Sequence, residues 1–230
     1  NGSLVERPVA DVSYRPRSDG PVRRTVARLV SIGVGAAGKD EVKQIYVATL
    51  ALPRIGKHWI VVRPRGERFQ AFQILDVKQD AAAVAIGDAA PRSENPTTAT
   101  APAKELSTAR PPNVKLLRYS VADSLERRLP FVLAFATPSF CESRTCGPTL
   151  EVVEAVRRRF ESRGIRFIHV EIYEDNLPGN GVNRWVEEWK LPTEPWVFVV
   201  DRSGVVRDRF EGAVSVGELA SSVEQNLLGA

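Results

Sequence analysis

Apolar positions alternate with polar ones in the first third of the chain, and this pattern gives way to solid apolar runs and a helical period in the second half. Residues 26–32 form a short β-branched run, closed by the glycine-rich stretch Gly33-Val-Gly-Ala-Ala-Gly38. Residues 44–50, 58–62 and 69–77 follow, separated by the turn signals Pro53-Arg-Ile-Gly56 and Pro64-Arg-Gly-Glu67. Short strands at regular spacing with no helical period predict an antiparallel β-sandwich over residues 1–88.

From residue 89 to 112 the periodicity is lost. Pro91, Pro96, Pro102, Pro111 and Pro112 stand among Thr, Ser and Ala, which predicts a linker or an arm lying on the next domain. Beyond it, Ser120-Val-Ala-Asp123 has the form of a helix start, and 131–136 is apolar throughout, as a strand buried on both faces must be. Val152, Val153, Val156 and Phe160 recur at helical spacing between Pro148, suited to a first helical position, and Gly164, suited to the residue past the end. A strand over 165–170, a short helix over 185–189, a hairpin over 196–210 turning at Asp201-Arg-Ser-Gly204, and a capping box at Ser215-Val-Gly-Glu218 complete the order β, α, β, α, β, β, α. The domain of this order spans 113–230, so the chain is expected to hold an all-β and an α/β domain.

Composition narrows the function classes. No apolar run approaches the ~20 residues that span a bilayer. The start, Asn-Gly-Ser, carries no apolar signal region and the chain has no Met, so a trimmed chain is expected, with membrane anchorage through a removed N-terminal segment. The formal charge of +4 comes from scattered basic residues without interleaved aromatics, which argues against a nucleic-acid partner. Two cysteines are too few for a disulfide scaffold or a structural zinc site.

Those two cysteines carry the chemistry. They lie in Phe135-Ala-Thr-Pro-Ser-Phe-Cys141-Glu-Ser-Arg-Thr-Cys146-Gly-Pro148, between a buried strand and a helix start. Thiol–disulfide exchange needs an accessible nucleophilic sulfur and a resolving thiol, and a helix N-terminus favours the thiolate. Cys146 stands closer in sequence to the helix, which marks it as the attacking thiol, whereas the loop length from the strand favours Cys141. Arg144 would stabilise a thiolate; Glu142 and Glu194 would oppose one. A structural bridge pinning one loop is the alternative. His169 lies in an apolar strand and is expected in the core or at an edge, as are Trp185, Trp189 and Trp196. Residues 175–182 predict a long surface loop beside the cysteines.

The second domain resembles the thioredoxin-like proteins, and in particular the exported, TlpA-type proteins of bacterial envelopes. Cys146-Gly147-Pro148 is similar to the first three residues of the Cys-Gly-Pro-Cys motif, and Thr193-Glu194-Pro195-Trp196 stands where the family has its cis-proline. Thr149 replaces the second cysteine of that motif, and the second thiol lies upstream at Cys141. The resemblance implies catalytic roles for Cys141, Cys146 and Pro195, a Cys141–Cys146 disulfide, and substrate contact or tuning of thiol acidity by Arg144, Gly147, Pro148 and Glu194. It implies a partner protein bearing a disulfide or dithiol, no cofactor, no metal and an extracytoplasmic location. In the first domain, Tyr46 through Leu52-Pro53 to Gly56-Lys-His-Trp59 resembles the last strand pairs of bacterial immunoglobulin-like modules.

Three other functions remain open. A non-catalytic scaffold would keep the disulfide as a structural bridge and recognise its partner through the β-domain. Sco-type copper delivery would need two cysteines and a histidine; only His58 and His169 exist. A peroxiredoxin would need a Pro-x-x-x-Thr-x-x-Cys pattern, and Thr137-Pro138-Ser-Phe-Cys141 has the two residues in the wrong order and spacing.

Overall fold

A computed structural model describes residues 7–17, 19–32 and 42–229. The glycine-rich stretch 33–38 lies outside these residues. Chain contacts divide the protein into two units, residues 1–31 with 44–81, and residues 32–43 with 82–230.

The first unit is one antiparallel sheet. Its strands are β1 (Val9–Pro16), β2 (Arg23–Ser31), β3 (Gln44–Val47), β4 (Gly56–Pro64) and β5 (Ala71–Val77), in the order β3-β2-β1-β4-β5. β1 is absent from the sequence reading, because Asp11, Arg15 and Pro16 dilute its apolar content. Its alternation is nonetheless strict: Ala10, Val12 and Tyr14 are buried on one face. They pack with Ala27 and Ile60 into a small core. The expected two-layer immunoglobulin-like sandwich is corrected here, since the described residues of this unit form a single sheet. The apolar run 44–50 pairs only as far as Val47. Leu50 and Leu52 then leave the ladder and pack against the core, and the Ala51 N–H donates to the Tyr14 hydroxyl (3.4 Å). A connection therefore covers the face that a second sheet would cover.

The second unit contains helix α1 (Ala103–Leu106), α2 (Val121–Glu126), β6 (Phe131–Phe135), α3 (Cys146–Phe160), β7 (Arg166–Val170), α4 (Arg184–Glu188), β8 (Trp196–Val200), β9 (Val206–Glu211) and α5 (Val216–Val223). The sheet order is β7-β6-β8-β9, with β6 and β7 parallel and the other pairs antiparallel. This is a thioredoxin-like topology. The solid apolar runs follow from burial on both faces. Val132 and Ala134 of β6, with Val197 and Val199 of β8, join the core that holds residues of α3 and α5. Phe131, Leu133, Phe135, Trp196 and Phe198 enter the opposite core around Trp189. Each fully buried Val, Leu or Phe contributes about 1.5–3 kcal/mol, so this sheet anchors everything attached to it.

Residues 82–112 run over this second unit. Gly87 N–H donates to Val206 O (2.8 Å) and Ala90 N–H to Gly204 O (2.8 Å), adding a short bridge beside the β8–β9 hairpin. Ser93 is fully buried and accepts from the Trp189 indole (3.0 Å). Asn95 accepts from Val121 N–H (2.9 Å), and Thr108 donates to Glu171 through both its N–H (2.5 Å) and its hydroxyl (2.9 Å). The prolines of this segment mark an extended course with its polar groups tied down, which their composition alone did not distinguish from a free tether. Among the described residues, no helix is long and apolar enough to cross a membrane.

Candidate functional site

The loop after β6 brings the two cysteines to the start of α3, where they form a disulfide with Cα atoms 6.0 Å apart. The loop is short and locally closed. Phe140 N–H donates to Thr137 O (3.2 Å) and Arg144 N–H to Cys141 O (3.3 Å), with Arg144 in the left-handed region at φ 59°. That turn folds the chain back, so that Cys141 lies against the helix N-terminus although four residues separate it from Cys146.

The geometry assigns the sulfurs different positions. Cys146 is the first residue of α3 and is fully buried, whereas Cys141 is half-buried. The Cys146 backbone N–H, one of the donors a helix start leaves unpaired, points at Cys141 Sγ (3.2 Å). Closeness in sequence to the helix favours Cys146 as the attacking thiol; loop length favours Cys141, the sulfur that receives this N–H. Ser143 Oγ lies 3.2 Å from Cys141 Sγ, 2.8 Å from Thr145 Oγ1 and 3.4 Å from the Glu194 carbonyl oxygen, to which it donates.

The helix begins two residues earlier than the sequence pattern placed it. Pro148 is its third residue, where the backbone N–H it lacks has no intrahelical partner to lose. Gly147 is half-buried beside it. Glu194–Pro195 is a cis peptide, Pro195 is buried, and Pro195 O accepts from Gly212 N–H (2.8 Å). The Glu194 carboxyl is pushed above the usual carboxylate range, first by burial and then by the like charge of Glu142, although the Glu142 backbone N–H opposes this. Tyr173 is also pushed up, by burial first and then by the charges of Glu194 and Glu142. Arg144 is exposed and makes no ion pair among the described residues; its backbone shapes the turn.

Cys141, Cys146, Gly147, Pro148 and the Glu194–Pro195 peptide thus come together. The sequence reading passed over Ser143 and Tyr173. A hydroxyl residue between the cysteines was the available signal for Ser143. Tyr173, whose ring meets Phe140 edge-on at 6.4 Å, reaches the site only through the fold. His169 is buried, and its Nε2 lies 2.9 Å from Ala136 O, as for a donor to the end of β6. Thr149, in the place of the motif's second cysteine, is buried with its hydroxyl unpartnered among the described residues.

No family model and no curated protein matches this chain. Among solved structures, a thioredoxin-family thiol:disulfide interchange protein from Chlorobium tepidum TLS is similar at 17% identity, covering 62% of this chain and 98% of that one, with a TM-score of 0.42.

Proposed function

We propose that the protein is a thiol–disulfide oxidoreductase that exchanges electrons between Cys141/Cys146 and a disulfide of a partner protein. The observation that carries this reading is the asymmetry of the pair: a half-exposed Cys141 sulfur receiving the Cys146 N–H at the start of a 15-residue helix, over a fully buried Cys146. In the reduced protein, Cys141 loses its proton to solvent and its thiolate attacks one sulfur of the partner disulfide. The partner's other sulfur leaves as a thiolate. Cys146 then loses its proton and attacks Cys141 Sγ, which re-forms the Cys141–Cys146 bond and releases the second partner thiolate. Two electrons pass to the partner; the reverse sequence oxidises a partner dithiol. The helix N–H groups favour the thiolate at Cys141, and the exposed Phe140 together with the cis-Pro loop form the surface a partner segment meets. This activity fits an extracytoplasmic setting, where such pairs cycle through the oxidised form.

A redox titration followed by thiol-specific mass labelling tests the reading. A potential of about −120 to −270 mV is expected; one well below about −300 mV means a structural bridge. In the reduced protein, alkylation at neutral pH should label Cys141 at least about tenfold faster than Cys146. The structural-bridge reading draws support from the complete burial of Cys146. It predicts that Cys141 is labelled no faster than an ordinary thiol of pKa about 8.5, with the buried Cys146 slower still.

A further inference from the structure

A cavity of about 130 Å³ lies between the arm and the end of β7, apart from the disulfide. Its floor is Glu171, only 5% exposed. Glu171 Oε1 takes both hydrogen bonds from Thr108, while Oε2 is buried with no partner among the described residues. A buried carboxylate oxygen left without a donor is costly. Glu105, Glu174 and Asp175 also line the space, and none of these four acids is in an ion pair among the described residues. No Lys or Arg lines it, although the chain carries 32 of them and a net charge of +4. The His169 ring on the wall is already hydrogen-bonded to Ala136. Arg184 lies over the Trp185 ring at 5.2 Å but is outside the lining.

We propose that this cavity is a binding site for an organic cation, a primary ammonium or guanidinium group that donates to Glu171 Oε2. A water molecule would satisfy that oxygen but make no use of a lining that holds four acids and no Lys or Arg. A metal ion needs several ligands converging at one point, and among the described residues no group of three His, Cys, Asp or Glu side chains is placed to hold one. An ammonium or guanidinium needs one buried acceptor, a negative field and a π-face, and Tyr173 and Trp185 on the wall supply faces of that kind. The Trp185 indole N–H is buried with no acceptor among the described residues, so the ligand carries an oxygen acceptor near its cation. An arginine or lysine residue of a peptide fits this description, as does a free amino acid or other small amine bearing an oxygen. The site does not depend on the redox reading.

The test is calorimetric titration of the full chain with free arginine and a blocked Gly-Arg-Gly peptide, the peptide beside its uncharged Gly-citrulline-Gly counterpart. Saturable binding of at least one cation is expected, with the citrulline form at least about tenfold weaker. Glu171→Gln should weaken binding by at least about tenfold. Should Glu171→Gln lose its near-UV circular dichroism, the exposed wall residues carry the test through the double variant Glu105→Gln/Glu174→Gln, which should weaken binding several-fold. Tighter binding of the peptide than of free arginine marks a protein side chain as the ligand; equal binding marks a small molecule. The proposal is overturned if no cation binds up to about 10 mM, if the citrulline peptide binds as well, if folded variants bind unchanged, or if Ca²⁺ saturates the site and the amines do not.

Discussion

Helix α3 depends on a charged cluster on its far half, and replacing Glu154 with Gln measures that dependence. Arg157 is 3% exposed, with its guanidinium donating to Glu154 through Nε (2.7 Å) and Nη2 (2.8 Å) and pairing with Glu161 through Nη1. Glu154 also accepts from Arg158 (2.9 Å) and from Asn113 (2.9 Å). The Arg157 guanidinium is the largest influence holding the Glu154 carboxyl at about 2, against an ordinary 4.5. At 1.36 kcal/mol for each tenfold step this corresponds to about 3.4 kcal/mol. Water reaches part of the cluster, since the Arg158 side chain is 74% exposed, and screening reduces the figure to about 2 kcal/mol. Glu161 still neutralises Arg157 in the variant, which keeps the loss below the 3–5 kcal/mol typical of a buried charge left alone. Glu154→Gln should therefore lower the unfolding free energy by about 2 kcal/mol at pH 7. Because the folded-state carboxyl titrates lower than the unfolded one, this stability is fully present above 4.5 and is lost as pH falls toward 2. Parent and variant should accordingly converge across that window. Urea unfolding followed by tryptophan fluorescence in a Trp59→Phe background, which leaves only the tryptophans of the second unit, reads the difference. A variant within about 0.5 kcal/mol of the parent at pH 7, or a gap that persists at low pH, would refute the reasoning.

Ser93→Ala leaves the buried Trp189 indole and the Glu188 carboxylate without their shared partner, and should destabilise the second unit by about 1–3 kcal/mol in thermal unfolding; an unchanged melting temperature speaks against that bond. A chain beginning at residue 113 loses Asn95 from Val121 and Thr108 from Glu171, and should lack a cooperative transition by near-UV circular dichroism. A sharp transition at the parent temperature would mean that the arm adds nothing.

The second unit was readable because its signals are strong and local. A strand buried on both faces has no polar position to blur it, as in 131–136, and the Ser215 box closes as its spacing implies. The first unit misled for a physical reason. Leu50 and Leu52 carry a strand's apolar content but leave the ladder to cover the sheet, and hydrophobicity does not reveal which neighbour a side chain meets. At the site, the cysteines and Pro195 announced themselves by type. Which sulfur faces the helix donor was set by the turn at Arg144, a matter of backbone conformation that residue type records only faintly.

The arm also bears on when the fold can be completed. Val84 N–H donates to Trp189 O and Arg209 to the carbonyls of Ala83 and Val84, so bonds from the start of the second unit are closed by residues more than a hundred positions later. As the chain emerges from the ribosome, Ser93 and the apolar residues Ala83 and Val84 wait uncovered until α4 and β9 have been made. Such distant closures slow folding. Cys141 and Cys146 stand close in sequence throughout, so in an oxidising compartment their bond can form on an unfinished scaffold, before the sheet that will support it is complete.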